Sequence, residues 1–288
     1  MERNITMGGF VLLELIHKAL YALISGFSEL FFVSSKAHQL LYRTVTGRDL
    51  RDHLLSLAIH LGCLVALWLN CNKRIRHLRS EKRLVRPGKR RRGRQPDGAA
   101  LMDIRIMNTA VVPLLLGLFF LRNASAWFNS SLRVALVLVI NGAVLFLPRL
   151  LPLGNKNGRS FSRLDCILMG LGGALGAVPG FSAMGCMYSV STSRGAGKNY
   201  ALELSVLMSI PVVAGMLCFD VYGSFAAPSA ITGFQMLGAL VAALTSFAGA
   251  QMALNLVRFV CNRSHTVAFA YYSWGLAMFL FLIYLFVA

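Results

Sequence analysis

The sequence predicts an all-α integral membrane protein made of two inverted-topology repeats, each a re-entrant helical hairpin plus three transmembrane helices. Three observations carry that prediction. Hydrophobic residues make up 56% of the 288 and charged residues only 14%, against roughly 25% charged in an average soluble domain. The charge is concentrated, because residues 71–105 hold 13 of the 29 Lys and Arg and 3 of the 11 acidic residues. Outside that segment, uncharged apolar runs recur at lengths suited to single membrane crossings. The net charge of +18 is not a nucleic-acid footprint, since +10 of it (13 minus 3) lies in the one segment and reads as a cytoplasmic loop under the positive-inside bias. Six cysteines (Cys63, Cys71, Cys166, Cys186, Cys218, Cys261) are scattered without a C-x-x-C pair, so neither a zinc site nor a disulfide framework is expected.

The apolar stretch 10–24 meets a polar loop, Ser25 to His38, and a short apolar return follows; this reads as the first re-entrant hairpin. Glu14, His17 and Lys18 interrupt the stretch, which argues against a cleaved signal peptide. A charge at the bilayer centre costs roughly 3 kcal/mol on insertion scales, so runs free of Asp, Glu, Lys and Arg mark the spans. The runs are 53–72, 106–121, 134–148, 166–193, 204–219, 221–257 and 264–288. Two are not simple. The 221–257 run is broken near Ala226-Ala227-Pro228-Ser229, leaving a helix from about 231. The 166–193 run carries Pro179-Gly180 at its middle and reads as two half-helices joined by a loop at depth, the second hairpin.

Placing the 73–105 loop inside puts 122–131 outside and 149–163 inside. A re-entrant 166–193 then returns Arg194 and Lys198 to the inside, 220–230 falls outside, Arg258 and Arg263 fall inside, and the C-terminus ends outside. Arg43, Arg48 and Arg51 on the outer side are exceptions to the rule, partly offset by Asp49 and Asp52. One membrane domain, 1–288, thus divides into a first repeat, 1–151, and a second, 152–288. Three spans per half is odd, so the second half starts on the opposite face, and in such architectures the hairpin tips meet near the midplane to form the site.

Ser28, Glu29, Ser34, Ser35, Lys36 and His38 crowd into eleven residues of an otherwise apolar region, and ionisable groups at that depth are functional candidates by default. His38 lies three residues from Ser35 and four from Ser34, so on a helical turn its imidazole can reach a hydroxyl, the arrangement a serine nucleophile or histidine base needs. Glu29 can hold a divalent metal, orient His38 or move a proton. The bland alternative is a capping serine within a satisfied polar cluster. Gly172, Gly176 and Gly180, four apart, are read as close helix packing, and Lys89 to Arg94 as either a solvated inside loop or a site for anionic lipid head groups. Trp68, Trp127 and Trp274 near span ends suit interfacial anchoring.

Ser25-Gly26-Phe27-Ser28-Glu29-Leu30-Phe31-Phe32-Val33-Ser34-Ser35-Lys36-Ala37-His38 resembles the first motif of the undecaprenyl pyrophosphate phosphatase family of the bacitracin-resistance type, E-G-x-T-E-F-x-P-[VI]-S-S-x-G-H. Val178 to Gly185 resembles its second, P-G-x-S-R-S-G, and His60-Leu61-Gly62 stands at the family's Q-L-G. Further matches run through Val112-Pro113, Ala201 to Ser205, Pro211 and Phe269 to Gly275. The resemblance implies six spans with two re-entrant hairpins and cleavage of the terminal phosphate of a C55 polyprenyl pyrophosphate, at a site opening to the outer face of the bacterial plasma membrane. It implies a divalent cation, Mg or Ca, as cofactor. Residue by residue, it implies Glu29 as catalytic and metal-binding, Ser35 as nucleophile or phosphate contact, and His38 as base or alternative nucleophile. Ser28, Ser34, Lys36, Gly180 and Ser182 would bind substrate. The partners implied are the polyprenyl lipid and the membrane, with a homodimer left open.

The sequence also departs from the pattern. Ser25 replaces the first glutamate, Phe32 the proline, Ala37 the glycine, and Ala183 and Met184 the arginine and serine of the second motif. Arg194, eleven residues beyond Ala183 and about 16 Å along a helix, cannot simply replace the arginine. Two readings follow: an active phosphatase resting on Glu29, Ser35 and His38, and a catalytically impaired relative that binds or translocates a polyprenyl phosphate.

Overall fold

A computed structural model describes residues 2–85, 95–128, 130–152, 154–226, 232–262 and 266–287. The Lys89 to Arg94 tract and the Ala227-Pro228-Ser229 break lie outside these. The described helices are α1 (Glu2–Glu29), α2 (Ser35–Thr46), α3 (His53–Leu84), α4 (Gly98–Leu121), the single turn α5 (Ala124–Trp127), α6 (Ser131–Leu150), α7 (Arg163–Ala174), α8 (Ala183–Ser193), α9 (Lys198–Ala226), α10 (Gly233–Asn262) and α11 (Ala268–Val287). Among the described residues, seven helices are long and apolar enough to cross a membrane, and the chain is an all-helical, multi-pass membrane protein.

Beyond the six spans expected, the seventh such helix is Val11–Glu29 within α1, the first arm of the first hairpin. Glu14 and Lys18 do not interrupt it because they neutralise each other as an i,i+4 pair at 3.1 Å. The Lys18 ammonium also sits 4.8 Å from the centre of the Phe234 ring. Two charges that look like breaks in the sequence are therefore accommodated along one helix.

Contacts along α10 place α1 in the bundle. Lys18 touches Gly238 and Leu23 touches Gly249, so the two helices run parallel and α10 continues for thirteen more residues, about 20 Å, past Gly249. After the turn at 30–34, α2 comes back beside α1, with Tyr42 Oη 2.8 Å from His17 Nδ1 and Tyr42 edge-on to Tyr21. The first hairpin thus returns to the end it starts from. The second does likewise: Arg194, after α8, bonds Asp165 at the start of α7 at 2.6 Å, and Lys156 bridges backbone to Ala196. The two hairpins start at opposite ends of the bundle, because α3, α4 and α6 each traverse it between them. Their tips meet in its interior.

Glycines set the closest approaches. A Cβ on Gly26 of α1 would lie 2.2 Å from the Ser246 carbonyl oxygen of α10, and one on Gly62 of α3 would lie 2.4 Å from the Ala243 carbonyl oxygen. In lipid, such close backbone contact replaces the hydrophobic effect as the source of packing energy. The stripe singled out in the sequence behaves unevenly: a Cβ at Gly176 would be 2.5 Å from Ala183 Cβ, one at Gly172 only 3.4 Å from Cys186. Gly180 is required for its backbone, at φ +110.

Asp165 anchors the base of the second hairpin. Its side chain is fully buried and bonded to Arg194 and, at 3.4 Å, to Lys156, and it closes a capping box with Ser162. Asp165→Ala leaves two cations facing each other and removes the half of the capping box that Ser162 N donates to. The loss is about 2–3 kcal/mol, toward the low side for a broken buried pair because Arg194 and Lys156 keep access to water. Thermal unfolding in detergent measures it; an unchanged midpoint would show the cluster to be energetically idle.

Candidate active site

Two of the four motif serines expected in the site are first of all helix caps. Ser34 caps α2, its Oγ accepting from Ala37 N, and Ser182 caps α8, its Oγ accepting from Gly185 N. Each hydroxyl then does a second job across the gap between hairpins. Gly180 N donates to Ser34 Oγ at 3.0 Å, and Ser182 Oγ donates to the Phe31 carbonyl at 2.9 Å. Lys36 completes the link by donating from Nζ to the Ala177 carbonyl. Asn141 of α6 supports it from below, its Oδ1 accepting from Ser182 N at 3.1 Å while its Nδ2 donates to Ser273. Asn141 was missed in the sequence, where a lone amide in the 134–148 run was its only signal.

A cavity of about 530 Å³ opens beside this junction, lined by Glu29, Ser35, Lys36, Pro179, His60 and Asp220 among others. Its volume is in the range of small-molecule sites. Arg43, Arg51 and Arg122 add positive charge to its walls. Arg51 also makes a two-point contact with Asp49, at 2.9 and 2.8 Å, and these hydrogen bonds hold the Asp49 carboxyl down at about 2. Ser35 Oγ is held loosely, donating to the Ser25 carbonyl at 3.4 Å and accepting from Gln39 at 3.5 Å, both at the limit of a hydrogen bond.

His38 is not where the spacing put it. Its Nδ1 lies 2.6 Å from the Ser34 carbonyl and its Nε2 lies 2.6 Å from Tyr272 Oη. A carbonyl can only accept, so Nδ1 carries the proton and Nε2 accepts from the tyrosine. The imidazole reaches neither the Ser34 nor the Ser35 hydroxyl. It faces a second, apolar cavity of about 520 Å³, shared with Ser28, Phe27, Phe31, Met252 and Phe269. Ser28, expected to bind substrate, turns its hydroxyl back to the Ile24 carbonyl at 2.7 Å.

The altered motif positions are in the core. Phe32 is buried against Tyr188 and Phe269, and Ala37 and Met184 are inaccessible. Ala183 packs beside Gly176. Buried Ser25 accepts from Gln39 at 3.1 Å. The cationic side chain at the hairpin junction therefore comes from Lys36 in the first motif rather than from the second.

A family model described as Bacitracin resistance protein BacA matches residues 18–279. Among curated proteins, the undecaprenyl-diphosphatase of Carboxydothermus hydrogenoformans is 25% identical over 256 residues, covering 89% of this chain and 92% of that protein. Undecaprenyl-diphosphatase 1 of Shouchella clausii is 26% identical, covering 94% and 96%. The undecaprenyl-diphosphatase of Syntrophotalea carbinolica is 28% identical, covering 91% and 96%.

Proposed function

The chain belongs to the bacitracin resistance protein BacA family, and from that membership we propose that it is a polyprenyl pyrophosphate phosphatase. It returns undecaprenyl pyrophosphate, the lipid carrier, to the monophosphate for cell-envelope synthesis in the bacterial plasma membrane. The observation that carries the reading is the junction of the two motif loops, where Glu29, Ser35 and Lys36 face one polar cavity. A pyrophosphate in a low-dielectric site needs cations and hydrogen-bond donors as its charge redistributes. Lys36 supplies a cation at the junction whose second motif lacks its arginine, and the arginines on the cavity walls supplement it. Ser35, loosely bonded, contacts the terminal phosphate or attacks it. His38 anchors the first loop through Ser34 and Tyr272.

A divalent cation fits this donor set in one way only. Among the described residues, no three His, Cys, Asp or Glu side chains form a metal cluster, but Mg²⁺ is commonly bound by one or two carboxylates together with substrate phosphates. Glu29 would hold it, and the cation would neutralise charge on the pyrophosphate. Asp220 is engaged by His60 and Asp52 by its capping bond to Leu54 N.

The test is phosphate release from C15 or C55 pyrophosphate by purified protein with Mg²⁺ or Ca²⁺. No release above the Glu29→Gln background with either cation overturns the reading. A second reading, binding or translocation of the lipid phosphate, draws on a cavity of about 590 Å³ near the opposite end of the bundle, which has Arg149 and Lys198 among its lining residues. Transfer of a labelled lipid phosphate across vesicles without hydrolysis would favour it.

The contacts of the two hairpins support the inverted repeat. With the basic loop placed in the cytoplasm by the charge rule, Arg43, Arg51, Arg122 and Tyr222, which line the polar cavity, all fall on the outer side, so the site opens outward. A single cysteine at Asn157, in a background lacking native cysteines, should react with an impermeant thiol reagent only after permeabilisation. One at Asn123 should react in intact cells, and the reverse pattern would invert the assignment.

A further inference from the structure

Two imidazoles that are not the motif histidine line the cavity, exposed His53 at the start of α3 and, two turns on, His60. His60 of α3 places Nδ1 2.5 Å from Asp220 Oδ2 of α9, 160 residues away, and both side chains are largely buried, 16% and 17% exposed. A carboxylate only accepts, so Nδ1 is a protonated nitrogen, and in the neutral imidazole that a base requires Nε2 carries the lone pair. Among the described residues, Nε2 has no hydrogen-bond partner, whereas both nitrogens of His38 are occupied. His60 and Asp220 line the same cavity as Glu29, Ser35 and Lys36. The four ionisable groups are within electrostatic reach of one another, His60 sensing Asp220, Glu29 and Lys36, and Lys36 sensing Glu29 and Asp220.

We propose that His60, oriented by Asp220, is the proton-transfer group of this cavity. Resting on the phosphatase reading above, the step is the following. His60 Nε2 takes a proton from a water molecule as the water oxygen bonds to the terminal phosphorus. The bond from that phosphorus to the bridging oxygen breaks, and its electron pair leaves with the lipid monophosphate. The imidazolium is stabilised by the Asp220 carboxylate, as in any base oriented by a buried acid, and returns its proton to the departing inorganic phosphate. The carboxylate and imidazole thus lie on α3 and α9, outside both motif loops, in a chain whose motif has lost a glutamate at Ser25 and whose motif histidine faces elsewhere.

The test uses the full-length protein in detergent with C15 pyrophosphate. His60→Gln keeps the size and a polar end but cannot accept the proton. Its kcat is expected to fall about 10²- to 10⁴-fold with KM little changed, the range for a general base. Asp220→Asn is expected to lower kcat less, and the double variant to be no worse than His60→Gln, because the two act as a unit. Free imidazole should restore turnover to His60→Ala, a rescue that a merely structural tie between α3 and α9 would not show. Monodispersity and the thermal midpoint of each variant identify any that fails to fold, in which case Asp220→Asn carries the decision. Folded variants within about threefold of the unaltered protein, or a His60→Ala loss that imidazole leaves untouched, overturn the proposal and leave the phosphatase reading standing. Absence of release by the unaltered protein overturns both.

Discussion

Replacing Glu29 with glutamine should reduce phosphate release from a polyprenyl pyrophosphate by at least about 10³-fold, equivalent to about 4 kcal/mol of lost transition-state stabilisation. The side chains are nearly isosteric, so packing at the end of α1 is preserved and the charge alone is removed. That charge is needed twice. It balances Lys36, which is in electrostatic reach of it within the cavity, and it is the carboxylate there not engaged by His60 or by the cap of α3. On the proposed reading, a divalent cation would lose its protein ligand while the pyrophosphate would keep its own negative charge. Steady-state phosphate release with Mg²⁺ measures the loss. A variant that keeps more than about a tenth of the native kcat would show that Glu29 is a bystander.

Gly26→Ala should be among the most disruptive small substitutions at a contact between long helices. By helix propensity alone alanine is better than glycine by about 1 kcal/mol, so local reasoning predicts a gain. The contact reverses the sign. A Cβ at residue 26 would lie 2.2, 2.6 and 2.8 Å from the carbonyl oxygen, Cα and carbonyl carbon of Ser246. These are backbone atoms of a long helix and cannot swing aside. Separating α1 from α10 also disturbs the Gly249 contact, where a Cβ would come within 2.3 Å of the Leu23 carbonyl oxygen. The cost should reach about 3 kcal/mol, the upper side of ordinary overpacking. Gly275→Ala is the control: its Cβ would meet nothing within 4 Å, and it should be neutral or slightly stabilising. Thermal midpoints and the monodisperse fraction in detergent separate the two, and equal behaviour of both variants would refute the packing argument.

Much of this architecture was legible because a membrane penalises isolated charge so heavily. The uncharged runs marked α3, α4, α6, α9, α10 and α11, and Pro179-Gly180 marked the second hairpin. The full extent of α1 was not legible, since the pairing of Glu14 with Lys18 and the Phe234 ring beneath them depend on three-dimensional neighbours. The site was legible in composition and misread in direction. Helical spacing correctly brought His38 to Ser34, but α2 begins at Ser35 and the Ser34 hydroxyl is engaged in capping it. What His38 meets one turn back is the Ser34 carbonyl, and its other nitrogen finds Tyr272, 234 residues on. Asp220 looked like a boundary between two apolar runs because its partner, His60, is on a different helix. Arg43 and Arg51 looked like violations of the charge rule, and both line the polar cavity.

The reciprocal bonds between the two loops have a consequence for how the protein is made. Ser34 with Gly180, Ser182 with Phe31, and Lys36 with Ala177 are separated by 146, 151 and 141 residues. When the ribosome has delivered the first hairpin to the bilayer, none of these partners yet exists. Three full helices must insert before the second tip arrives. During that interval the first loop cannot adopt its final form, and a truncated nascent chain has no pyrophosphate site to expose to the lipid pool. Activity appears late and all at once, when the second hairpin docks.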